Sequence, residues 1–273
     1  MKNSFKFLLV ILFVSSLTTA QNLNESWDTY IASYENDKPG STTLRMDLYD
    51  LAPIKSFNYV LVTGITYKTS RNDGFPEKET LKLLYKAADA VTEIIKKETE
   101  SISVGSFTHD KERLEYFYIK TPKNVASKIE QFYKDNYPKY KFYLNIKEDK
   151  KWKYYLDFLY PNEEIKNYMA DLSVLRNLQE AGDNLTKARR VDHWLYFSDK
   201  SKLKECKEEL IKSNFTIQDT TIDNKRNLTY GLQVWRIDNV DINSIYPITK
   251  GLRTLAKKYS GEYDGWETSV EKE

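Results

Sequence analysis

The chain has 273 residues, 42 Lys and Arg against 40 Asp and Glu, two His and one Cys. Apolar residues make up 40 % and charged residues 30 %, a globular balance, and the length suits one or two domains of roughly 100–200 residues each. A formal net charge of +2 excludes the basic excess of a typical nucleic-acid binder, and a single Cys excludes an internal disulfide.

In chain order, Lys2 and Lys6 flank the start of an apolar run, Phe7–Val14, which small residues follow to Ala20. This is the pattern of a secretory signal peptide cut after Ala20, with Gln21 first in the mature chain. The run is far short of the ~20 apolar residues of a membrane helix, so no stable membrane insertion is expected after cleavage. Without Lys2 and Lys6 the mature chain is neutral, 40 basic against 40 acidic side chains.

A first strand is predicted at residues 41–50, "STTLRMDLYD", and a second at 57–68, "FNYVLVTGITYK". Residues 77–100 read as a helix with Leu81, Leu84, Ala88, Val91 and Ile95 as its apolar stripe. "SISVGSFTH" and "RLEYFYIK" form a hairpin, residues 124–136 a second helix, and 140–148 a last strand. From Glu163 to Ala181 the pattern is again helical, with Ile165, Met169, Leu172 and Leu175 on one face and Gly182 as its stop. The last third gives a strand at 192–197, a helix capped by Ser198, strands at 214–222 and 228–237, a helix from about Asp241, and a closing strand "GEYDGWETSV". The order β-α-β-β-α-β thus occurs twice. The expected fold class is α+β, two ferredoxin-like domains with antiparallel sheets. The expected domains are 21–160 and 189–273, with 161–188 as a linker helix.

Chemistry is sparse. Cys206 falls on an apolar helical face and reads as a core residue. His109 and His193 lie in different halves, one Cys cannot complete a zinc set, and neither a phosphate-binding loop nor a dinucleotide motif occurs. No cofactor and no metal are expected. Strict alternation places Glu262, Asp264 and Trp266 on one face of the last strand, and Tyr263 and Glu267 on the other. That strand lies beside the first, which brings Asp192 and His193 near Trp266. His193 with nearby acids could serve as a general base. Trp194, Tyr196 and Trp235 share one face of the central strands, where RNA-binding modules of this fold stack bases. The competing expectation is that these aromatics pack against the linker helix or the other domain.

"RRVDHWLYF" and "GEYDGWETSV" resemble the RraB family, regulators that inhibit ribonuclease E. The run Tyr263, Asp264, Gly265 and Trp266 is the most specific piece, with Asp192, His193 and Trp194 at the opposite end of the domain sequence. "DGFPEKE", "VGSFTH" and "KWKYYLDFLYPN" resemble an uncharacterised domain family often joined to such a domain. The resemblance implies a non-enzymatic regulator whose partner is another protein. Export would separate it from ribonuclease E in the cytoplasm. An enzyme using His193 and a single-strand nucleic-acid binder are the alternatives.

Overall fold

The computed structural model describes residues 25–34 and 37–272. The signal-peptide segment and its cut site lie outside the described residues. The chain divides into two compact units. The first gathers the segment ending at Thr29 with Thr42–Leu159, the second Tyr30–Ser41 with Tyr160–Glu273.

Both units have the antiparallel α+β architecture expected from the element order. The first contains β3 (Tyr59–Thr66), α1 (Lys78–Glu98), β4 (Ser101–His109), β5 (Glu112–Ile119), α2 (Val125–Asn136) and β6 (Phe142–Glu148). Its sheet runs β4-β5-β3-β6, and a hairpin of β1 (Trp27–Ser33) and β2 (Pro39–Arg45) extends it beside β4. The second contains α3 (Glu163–Glu180), β7 (Arg189–Phe197), α4 (Lys200–Lys212), β8 (Thr216–Ile222), β9 (Tyr230–Asp238), α5 (Ile242–Lys258) and β10 (Gly261–Thr268), with sheet order β10-β7-β9-β8. Within each β-α-β-β-α-β unit, the first and third strands lie at the centre and the last lies outside the first, which is the ferredoxin-like order.

Several boundaries differ from the sequence expectation. The extra strand spans Pro39–Arg45, not 41–50, and its hairpin partner β1 was not foreseen. Asp199, not Ser198, caps α4: its side chain accepts the Ser201 amide at 2.6 Å. The stripe of α1 buries Ala87 in place of Ala88.

One face of the first sheet packs Leu61, Ile65, Phe117 and Ile119 against Leu84, Val91 and Ile95 of α1 and Ile129 and Tyr133 of α2. The opposite face is roofed by the residues after β6. Trp152 is fully buried and stacks on Tyr118, ring centroids 4.0 Å apart. Its indole donates to the Phe57 carbonyl at 2.8 Å. A π-helical turn, Tyr154–Leu159, follows, and the Tyr155 hydroxyl donates to the Arg45 carbonyl at 2.6 Å.

In the second unit Leu195, Phe197, Leu232 and Val234 meet Leu203, Cys206 and Leu210 of α4 and Leu252 and Ala256 of α5. Cys206 is a buried core residue, and burial pushes its thiol up to about 12. The predicted linker helix is α3. It belongs to the second unit, where Leu175 and Leu178 pack with Val191, Val240, Ile245 and Trp266.

Candidate functional site

The motif residues of the second unit lie on two faces of one sheet, and the division is set by a bulge. In β10, Tyr263 pairs with Leu195 of β7, but Trp266 pairs with His193, because the register shifts between Tyr263 and Gly265. Gly265 sits at φ +146°, a conformation that L side chains rarely adopt. One extra residue reverses the alternation beyond it. Tyr263 and Trp266 therefore both face the helices, which corrects the expectation that they lie on opposite faces. Glu262, opposite Tyr196, and Glu267, opposite Asp192, share the other face.

The helix side holds a buried polar network. Asp171 of α3 is 1 % exposed. Its carboxylate accepts the Trp266 indole N–H at 3.0 Å, the Thr249 hydroxyl, and both terminal nitrogens of Arg253 at 3.2 Å. The Arg253 guanidinium lies 5.0 Å from the centre of the Tyr263 ring. The Tyr263 hydroxyl and His193 Nδ1 are 2.8 Å apart, and the ring of Phe215 meets His193 edge-on at 5.7 Å. His193 is fully buried, and Nε2 has no hydrogen-bond partner among the described residues. Burial, with Arg236 nearby, lowers its pKa from 6.5 to about 3, so the ring is neutral. The acids expected to assist it point elsewhere: Asp192 lies on the opposite face and bonds Arg190 through both oxygens, at 2.7 and 2.6 Å. His193 is thus separated from those carboxylates, and its ring packs against Phe215 and shares a hydrogen bond with the Tyr263 hydroxyl.

Asp171 was missed by the sequence reading, which put Leu172 in the buried stripe. The signal was present, since Asp171, Leu175 and Leu178 are spaced i, i+4, i+7. A charged residue in an apolar stripe marks a buried partner, here Arg253. A second buried ion pair anchors the start of β7: Arg189 bonds both oxygens of Asp183 and donates to the Ser269 carbonyl at 3.0 Å. The Arg189 guanidinium holds the Asp183 carboxyl far below its usual range.

The other face carries Trp194, Tyr196 and Trp235, each half-buried, and no helix of the second unit lies on it. This corrects the expectation that the linker helix covers these rings. The guanidinium of Arg190 sits 4.7 Å from the Trp235 ring centre, and that of Arg226 4.1 Å from Tyr196. Both arginines are tied to acids of the same face, Arg190 to Asp192 and Arg226 to Asp264 at 3.5 Å. Trp194 stands between Gln233 and Gly265, whose missing side chain leaves open space beside the indole. Asp219, Glu262 and Glu267 are exposed on or beside this face and form no ion pair among the described residues. The surface is thus aromatic at its centre and acidic around it.

Among the described residues no group of His, Cys, Asp and Glu could hold a metal ion, and no helix is long and apolar enough to cross a membrane. No curated protein matches the chain. Several solved structures match it, among them the following two. One is a protein assigned as a glycine cleavage system transcriptional repressor, 11 % identical, covering 78 % of this chain and 98 % of its own, with a TM-score of 0.24. The other is an unknown protein from Galdieria sulphuraria, 8 % identical, covering 78 % and 99 %, with a TM-score of 0.21. Scores this low carry no argument. Two family models match the chain: that of the family of unknown function DUF695 over residues 25–160, and that of the regulator of ribonuclease activity B family over residues 169–268.

Proposed function

We propose that this chain is an exported, non-enzymatic regulatory protein that binds another protein through the uncovered sheet face of its C-terminal domain. The match to the regulator of ribonuclease activity B family supports a regulatory, protein-binding role. The observation that carries the surface assignment is the group Trp194, Tyr196 and Trp235 on a face that the domain's own helices leave free. Aromatic residues are enriched at protein interfaces, and a contiguous apolar patch rimmed by charges marks an interaction site.

Nucleic acid fits this face less well. Two of the three rings are stacked by arginines of the same chain, and the surrounding carboxylates repel phosphate. Export rests on the basic, apolar and small-residue order of residues 2–20, and it removes cytoplasmic ribonuclease E as a partner.

The test is affinity capture from the envelope or secreted fraction with the mature chain and with a Trp194→Ala, Trp235→Ala variant. A partner retained by the parent and lost by a variant of unchanged melting temperature is expected. A partner retained equally by both overturns the surface assignment. N-terminal sequencing of the exported protein should start within a few residues of Gln21; a chain starting at Met1 in the cytosol overturns the export reading and restores ribonuclease E as a partner.

A further inference from the structure

The first unit holds a cleft of about 660 Å³ at one end of its sheet. Three backbone segments border it: the residues that end β3, the turn between β4 and β5, and the stretch before β6. They bring Lys68, Lys111, Lys139 and Lys141 to one opening, against a single acid in the lining, Asp110. The lysines stand on tethered backbone. The Tyr67 amide donates to the Lys111 carbonyl and the Thr66 amide to the Lys141 carbonyl, both at 2.8 Å, and the Lys111 amide donates to the Gly74 carbonyl at 3.1 Å. Tyr67, 5 % exposed, forms part of the lining and donates its hydroxyl to the Gly74 carbonyl at 2.9 Å. Thr80, near the start of α1, and the half-buried ring of Tyr140 complete the lining used here.

Elsewhere in this unit Lys82, Lys96, Lys120 and Lys134 each pair with a glutamate, and exposed lysines without an ion pair among the described residues, such as Lys55, Lys86 and Lys128, line no common opening with the four of the cleft. The four cleft lysines form no ion pair among the described residues. Gathering four like charges around one opening is unfavourable in the free protein unless an anion neutralises them, and a concave lining focuses their field on whatever enters. The chain as a whole has a net charge of only +2, so the excess is local. The volume lies within the range of about 300–1,000 Å³ that suits a small ligand. Ammonium groups act on phosphate as point charges, and the Thr80 hydroxyl adds a directional bond.

We propose that this cleft binds a ligand carrying two or more phosphate charges, with the Tyr140 ring beside its organic part. The same chemistry is offered by a free phosphorylated metabolite and by a phospholipid headgroup. The test is calorimetric titration of the mature chain with pyrophosphate at about 150 mM salt, near the Debye length of 8 Å, and co-sedimentation with vesicles containing phosphatidic acid. Saturable one-to-one binding of pyrophosphate is expected, weakened at least tenfold by Lys111→Glu with Lys141→Glu and unchanged by Lys200→Glu with Lys204→Glu in the other unit. These side chains are exposed, so the melting temperature should hold in both variants. Sedimentation with vesicles that the first variant alone abolishes, without pyrophosphate binding, assigns the phosphate to a headgroup. Pyrophosphate binding that never saturates, equal loss in both variants, or binding of a polynucleotide in place of pyrophosphate overturns the proposal.

Discussion

In the first unit the sheet face opposite the helices is roofed by the chain's own residues, with Trp152 stacked on Tyr118 and Tyr155 bonded to Arg45. In the second unit the equivalent face has no such roof. Trp194, Tyr196 and Trp235 lie there half-exposed, and the extra helix α3 joins the other face through Asp171, Leu175 and Leu178. Both units have the same strand order, so topology did not decide which face is covered. An amphipathic segment after the last strand closes the first unit, whereas the second unit has no such segment after its last strand, and its aromatic face is the proposed docking surface. Equal-sized rings should then have unequal thermodynamic roles.

The sharpest way to break this comparison is to truncate a covered ring. Trp152→Ala should cost about 3–5 kcal/mol, a buried aromatic lost, and Trp266→Ala a similar amount. Either is a large share of the ~5–15 kcal/mol typical of a folded protein. Urea titration followed by circular dichroism reads both, and a Trp152→Ala chain that melts like the parent would show that the roof is not part of the core. Asp171→Ala should cost about 3 kcal/mol, somewhat less, because it strands Arg253, which is partly solvated, and the Trp266 N–H. Asp171→Asn should recover part of that loss.

The next effect depends on pH. His193 binds a proton less readily folded than unfolded, with its pKa lowered from 6.5 to about 3. The unfolded chain therefore takes up more protons as pH falls, and stability present above about pH 6.5 is lost on the way down. Between pH 7 and pH 5 the second unit should lose about 2 kcal/mol, at 1.36 kcal/mol per pKa unit. His193→Asn should flatten that slope at the cost of a lower starting stability. The carboxylates with lowered pKa values, Asp183 and Asp192 among them, act only below about pH 4. A urea midpoint unchanged between pH 7 and pH 5 would mean that His193 is solvated.

On the uncovered face the effects should be smallest. Trp194→Ala should cost about 1 kcal/mol or less, and Glu262→Gln should fall within about 0.5 kcal/mol, as for exposed surface changes. If Trp194→Ala destabilises as much as Trp152→Ala, that face is part of a core and the proposed docking surface fails.

The sequence by itself determined the order β-α-β-β-α-β of the two α+β units and the two family resemblances, but not strand β1. Local patterns suffice for these: apolar residues at helical spacing, as at Leu84, Val91 and Ile95, and alternation in the central strands, as from Val191 to Phe197. The start of α5 near Asp241 was also legible, and there the Asp241 side chain caps the helix by accepting the Asn243 and Ser244 amides. Three features were decided only by tertiary structure. The face on which Trp266 points depends on one bulged residue, Asp264, next to Gly265, and alternation counted along a strand cannot register an extra residue that only the partner strand reveals. The burial of Asp171 depends on Arg253, 82 positions away, because a carboxylate enters a core only where a partner offsets its lost hydration. Which sheet face stays open depends on where Trp152 and α3 dock, and those are long-range packing choices that no local period encodes.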